Sequence, residues 1–246
     1  MFAALDPTAL ALFVTATFAA ALVAGLAGFA FGMAAAAIWL HILTPAQTTI
    51  LIAAYAILIQ GYSTWKLRHA VRGARIWPFL AGGVLGIPLG AELLRWVPAD
   101  PLRNGVGIFI VLYSVYGLAK SNWTVGAWGG RAADGGVGFL GGVLGGATGL
   151  APILPVLWCA ARGWPKDEQR AVFQPFAVVM FVMILLWLGG IGAIDGATAL
   201  LFLAGIPAML VGTWLGLKWY ARLSETAFRH VVLGLLLLSG LALALR

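Results

Sequence analysis

Charge is what this 246-residue chain has least of: 9% of its residues are Asp, Glu, Lys or Arg, 62% are hydrophobic, and the mean hydropathy is +1.00. A domain that folds in water needs a polar, charged exterior, which this composition cannot supply. A soluble fold is excluded. Cysteine is the next scarcity. The one thiol, Cys159, allows no internal disulfide and no cysteine metal cluster, and its place in an apolar run reads as a small packed side chain. The three histidines and eight acids show no metal-ligand spacing, no Ser-His-Asp set falls in the apolar segments, and no G-x-x-x-x-G-K-[ST] loop is present for a nucleotide. The chain is therefore not read as an enzyme, and neither metal nor cofactor is expected.

The basic excess, formally +7, would suggest nucleic acid in a soluble protein. Here the lysines and arginines occupy short loops between apolar runs, where they set membrane topology, so no nucleic-acid partner is expected. Asp6, Asp100, Asp134, Asp167, Glu168 and Glu225 read as loop or first-turn residues that cap helices. Glu92 and Asp195 lie nearer the lipid boundary, Glu92 beside Arg95, and no acid is placed as a buried proton carrier. The first residues lack the basic n-region of a secretory signal. Asp6-Pro7-Thr8 instead reads as the start of a first membrane helix.

What the sequence has in abundance is apolar runs long enough to cross a bilayer core, which takes about 20 helical residues. The fold class is an all-α polytopic membrane protein, a single membrane domain over 1–246. Two stretches interrupt the runs with helix breakers: AALVAGLAGFAFGM at 20–33 and GGVLGGATGLAPILP at 141–155. At one fixed spacing Phe18 falls on Phe139, Gly25 on Gly146, Gly28 on Gly149 and Ala30 on Ala151. Glycine costs a helix about 1 kcal/mol and proline about 3, so backbone is expected to leave the helix at these points. In lipid, such backbone survives only where protein or water surrounds it.

The chain thus divides into repeat one (8–120), a linker (121–134) and repeat two (135–246). Each repeat is a broken or re-entrant helix pair followed by three transmembrane helices. The segments expected are 8–43 with a break inside it, 45–65, 77–94 and 102–119, then 135–150, 151–161, 170–188, 198–217 and 228–245. Five segments per repeat is an odd number, so the two repeats must have inverted topology. Placing the loop with Lys66, Arg68, Arg72 and Arg75 inside leaves only Arg95, Arg103 and Arg246 of the 15 lysines and arginines outside. Both termini are then expected outside.

No lysine or arginine is expected at mid-depth, so a bound anion would be held by backbone N–H groups and by the positive ends of the short helices after each break. Candidate substrate-binding residues are Gly25, Gly28, Phe29 and Gly32 in the first break and Gly146, Thr148, Gly149 and Leu150 in the second. Tyr55, Gln60 and Gln174 add side-chain donors on the next helices. The same glycines also suit close helix packing, and both readings can hold at once. His41 reads as interfacial, most tryptophans as an aromatic belt, and Trp187 and Trp214 as candidates for lining a cavity.

GLAGFAFG, its partner GGATGLAP, and the closing Gly212-x-x-x-Gly216 with Arg229 make the chain resemble the sulfite exporter TauE/SafE family of small bacterial membrane transporters, over nearly its whole length. Pro152 and Pro155 match the second motif; the first motif lacks proline here, so the two turns are expected to differ in detail. The resemblance implies a secondary transporter in the bacterial inner (plasma) membrane. Its substrate would be a small sulfur-containing anion (sulfite, thiosulfate or an organosulfonate), moved by alternating access with a proton or sodium ion as coupling partner. The partners implied are that anion, the coupling ion and membrane lipid, and a homodimer is a compatible assembly. A passive anion channel and a non-transporting membrane subunit of a larger complex are the alternatives.

Overall fold

A computed structural model describes residues 6–39, 41–93, 99–119, 124–126, 128–148, 150–190 and 194–244. Its elements are helical: α1 (Pro7–Ala27), α2 (Phe31–Trp39), α3 (Pro45–Lys66), a 3-10 turn at Arg68–Ala70, α4 (Gly73–Leu93), α5 (Ala99–Ala119), α6 (Gly130–Thr148), α7 (Ile153–Ala161), α8 (Lys166–Gly190), α9 (Gly196–Tyr220) and α10 (Glu225–Ala244). Among the described residues four helices, α1, α8, α9 and α10, are long and apolar enough to cross a membrane. Between 33% and 44% of each apolar span is buried inside the protein, which leaves the larger part accessible from outside.

Helix starts follow local chemistry. Pro7 occupies the first turn of α1, and the Thr8 hydroxyl donates to Asp6 at 2.6 Å. Asp167 and Glu168 sit in the first turn of α8, at the positive end of its dipole. Asp195 caps α9 by accepting from the Thr198 N–H at 2.8 Å, and the hydrogen bonds from Thr198 hold its carboxyl below the ordinary range. Several helices begin earlier than expected: α4 at Gly73 rather than 77, α6 at Gly130 rather than 135, and α8 at Lys166 rather than 170. Hydropathy marks where a helix enters lipid. A polar first turn outside the apolar run is helical all the same.

The chain forms two compact units. Unit 1 comprises Met1–Trp65 and Phe181–Arg222. Its core is aromatic, with Phe13 stacked on Trp39 at 5.0 Å and with Phe31 and Tyr55 packed on the same indole. Helices α1 and α9 meet backbone to backbone. A Cβ on Gly212 would lie 2.5 Å from the Phe18 carbonyl, and one on Gly25 would lie 2.7 Å from the Thr213 carbonyl. Unit 2 comprises Lys66–Met180 and Leu223–Arg246. In it α4 packs on α6, and α5 on α10. Gly82, Gly86 and Gly90 on α4 lie against the carbonyls of Gly135, Phe139 and Val143, while Gly138 and Gly142 on α6 lie against those of Phe79 and Gly83. Small residues at this spacing let membrane helices approach closely.

Candidate functional site

The first break lies between α1 and α2, in unit 1. Gly28 ends α1 in the left-handed region (φ 88°), donating its N–H to the Ala24 carbonyl at 2.7 Å. Ala30 also has a positive φ, 72°, which a side-chained residue rarely adopts. Its carbonyl then accepts from Ala34 at 3.1 Å and opens α2. Between them the Gly28 carbonyl has left the helix, and Gln60 Nε2 on α3 donates to it at 2.8 Å from a buried position. Phe29 is buried at the turn, and a Cβ on Gly32 would lie 2.9 Å from Ile52 of α3. Gly25 sits one turn before the break, in the contact with α9.

Tyr55, one helical face away from Gln60 on α3, donates to the α9 carbonyls of Phe202 at 2.7 Å and Leu201 at 3.2 Å. Its hydroxyl occupies the place a Cβ on Gly205 would take. A residue not singled out from the sequence joins this region: Trp39 is fully buried, and its indole N–H has no partner among the described residues. Nothing in the sequence around it separates Trp39 from the interfacial tryptophans.

The second break lies between α6 and α7, in unit 2. Among its described residues Pro152 (φ −76°, ψ −10°) precedes α7, Leu150 accepts from the Ile153 N–H at 3.2 Å, and Pro152 accepts from Val156 at 2.9 Å. α7 folds back on α6 through Gly141 and Gly145, which meet Ala151 and Pro155. Gly146 is half-buried beside them. Gly149 and the Thr148 side chain lie outside the described residues.

Gln174 on α8 is fully buried. With its amide oxygen turned toward Arg170, it accepts from Nε at 3.0 Å and from Nη2 at 2.8 Å. Arg170 is itself fully buried, which corrects the assignment of this residue to an inner loop: it lies one turn inside α8. The signal was its i, i+4 spacing to Gln174. Asp134 requires the same correction. Helix α6 begins at Gly130, so Asp134 is in the second turn rather than at a cap, and it is buried.

At the α8 start, Glu168 pairs with Arg75 and with Arg72 at 3.8 Å, His69 lies 3.7 Å from Asp167, and the Arg75 guanidinium lies 4.6 Å from the Trp164 ring. Trp187 and Trp214 are exposed and face outward rather than into a cavity, Trp214 with Lys218 over its ring. No group of three or more His, Cys, Asp or Glu able to hold a metal exists among the described residues.

Apolar outward-facing helices, close glycine contacts and two interrupted helices with buried amides beside them define a multi-pass helical membrane protein. Over residues 12–243 the chain matches the family described as Sulfite exporter TauE/SafE, and it belongs to that family of membrane transporters. No curated protein and no solved structure matches it.

Proposed function

We propose that this protein is a secondary transporter that moves a small sulfur-containing anion, namely sulfite, thiosulfate or an organosulfonate, across the bacterial inner membrane by alternating access. The observation that carries the reading is the paired helix break in a chain of the sulfite exporter family. In each series a long helix ends, the backbone turns, and a short helix of 9 residues begins. The first N–H groups of such a helix have no intrahelical acceptor and carry the positive end of its dipole, which suits an oxyanion. Broken helices at corresponding places in two halves are also the usual sequence pointer to a transporter's binding site.

Each unit brings its own buried polar side chains to this reading, an amide in unit 1 and an amide beside a cation in unit 2. Gln60 steadies the first break through the Gly28 carbonyl. Gln174 accepts from Arg170 through its amide oxygen, and Arg170 supplies positive charge beside it. Sulfur oxyanions present only acceptors, so a set of donors with little acceptor capacity selects for them. The order α1 to α5 is repeated by α6 to α10, and an odd number of segments in each series is what inverted repeats with both termini outside require.

A thermal-shift screen of the purified protein tests the reading, because a ligand that binds only the folded state raises its Tm. Sulfite, thiosulfate or a short alkanesulfonate should stabilise it where chloride does not, and Gln174→Leu should lose more of that shift than Gln174→Asn. A folded protein that no sulfur anion stabilises contradicts it. Equal shifts in the two variants would return Gln174 to a packing role.

A further inference from the structure

Unit 2 holds a half-open cavity of about 520 Å³ where the start of α10 meets the α7–α8 turn and the end of α5. Sites for small organic molecules run from roughly 300 to 1,000 Å³, so the space is far more than a bare inorganic anion fills. The lining changes along α10 in the direction in which that helix enters its apolar run. Glu225, Thr226, Arg229 and His230 come first, and Val232 and Leu233 follow one turn deeper. Ala160 of α7 joins the apolar side, and Gln169 of α8, whose Nε2 donates to the Trp164 carbonyl at 2.7 Å, joins the polar one.

Charge in the lining is uneven. Arg229 Nη2 donates to the Gly117 carbonyl of α5 at 3.0 Å, which fixes the guanidinium at the cavity wall. Glu225 is turned to another task. It accepts from the Lys166 N–H at 2.8 Å, and it stands in the first turn of α10, where a carboxylate suits the helix dipole. The guanidiniums of Arg75 and Arg162 lie 4.6 and 5.7 Å from the Trp164 ring, but each has its own acid, Glu168 for Arg75 and Asp134, at 2.7 Å, for Arg162. What the cavity offers is therefore the Arg229 cation, the hydroxyls of Thr124 and Thr226, the His230 imidazole and an apolar floor.

That arrangement matches a molecule with an oxyanion at one end and hydrocarbon at the other. Arg72, Arg75, Arg162, Lys166 and Arg229 gather at this end of unit 2, which the positive-inside rule turns toward the cytoplasm. Basic pockets between membrane helices on that side take acidic lipid headgroups. We propose that this cavity is a phosphate-ester site, occupied by the headgroup of an acidic phospholipid of the inner leaflet. The phosphodiester lies on Arg229, whose planar fork fits its oxygens. The headgroup hydroxyls turn to Thr124, Thr226 and His230, and the acyl chains leave past Val232 and Leu233. A lipid seated there bridges α5, the α7–α8 turn and α10. The site is at the far end of α7 from the second helix break, and it stands whether or not the chain moves a sulfur anion.

Because a ligand of the folded state raises Tm, thermal unfolding of delipidated protein in detergent tests the site, with dihexanoylphosphatidylglycerol, dihexanoylphosphatidylcholine and glycerol phosphate added at equal concentrations. Phosphatidylglycerol should raise Tm several-fold more than phosphatidylcholine does, and glycerol phosphate should do little. Thr226 is exposed at the rim. Thr226→Glu should remove most of the preference for phosphatidylglycerol, and Thr226→Lys should enlarge it. Arg131→Gln, a change of one charge at an exposed place on α6, should leave it as it is. Arg229→Gln should lose it too, but that variant also releases the Gly117 carbonyl, so the Thr226 pair decides. Equal shifts from the two lipids, a preference that both Thr226 variants leave unchanged, or one that Arg131→Gln reduces as much as Thr226→Glu would each overturn the proposal. Glycerol phosphate as effective as phosphatidylglycerol would support the phosphate-ester site and overturn the lipid as its occupant.

Discussion

The two units bury polar groups of different kinds. In unit 1 the buried polar residues among those described are neutral, Thr17, Thr48, Gln60, Ser63, Thr198 and Thr213, beside an aromatic cluster of Phe13, Phe31, Trp39 and Tyr55. The buried charged residues among those described, Asp134, Arg162 and Arg170, all lie in unit 2. The first turn holds left-handed Gly28 and Ala30, and among the described residues of the second Pro152 leads into α7.

If that division matters, removing one polar partner should cost more in unit 2 than in unit 1. Arg162→Leu leaves the buried Asp134 carboxylate without its counter-charge, for which about 3–5 kcal/mol is expected. Gln60→Leu leaves only a neutral carbonyl of Gly28 unpaired, for which about 1–3 kcal/mol is expected. Thermal unfolding in a single detergent should rank them in that order; equal losses would erase the distinction between the units.

A smaller effect, of opposite sign, probes the first turn. Ala30 holds a left-handed conformation that costs a side-chained residue about 1–2 kcal/mol, so Ala30→Gly should raise Tm slightly despite the flexibility glycine adds to the unfolded chain. Pro152→Gly in the second turn should lower it, because there the fixed φ of proline is already the one in use. A fall in Tm for Ala30→Gly would mean that Ala30 is not strained there.

The smallest effect lies at the start of α9, which belongs to unit 1. The carboxyl of Asp195 is held below its ordinary range by Thr198, so its capping contribution is present above the unfolded value and is lost as pH falls through the folded one. Asp195→Ala should lower Tm at neutral pH, where the capping contribution is fully present, and approach wild type in acid, where wild type has lost it too. A wild-type and variant pair whose Tm values fall in parallel into acid would show that the cap is not coupled to pH.

Both breaks were legible because glycine and proline inside an apolar run are a backbone signal, readable one residue at a time. The short helices after them begin at Phe31 and Ile153, within the stretches where the sequence places them. The buried charges were not legible. Hydropathy locates entry into lipid, so Asp134, Arg162 and Arg170 fell to loops or caps even though α6 and α8 start outside the apolar run. Long-range partnerships were equally out of reach. The pairing of Gln60 with the Gly28 carbonyl and of Tyr55 with α9 depends on how helices meet, and single-chain periodicity carries no record of it. Glycine had two readings from the start, and Gly25 sits in both: it faces α9 and lies one turn before the break.

The most direct test of the account is counterflow in proteoliposomes: vesicles loaded with unlabelled sulfite, diluted into labelled sulfite, with thiosulfate, a short alkanesulfonate, sulfate and chloride as competitors. The account predicts protein-dependent uptake of label above that of empty vesicles, competed by the sulfur anions it recognises and not by chloride, and accumulation when a proton or sodium gradient is imposed. Folded, inserted protein that moves no sulfur anion would contradict the transporter, and flux that only ever runs down its own gradient would make it a channel.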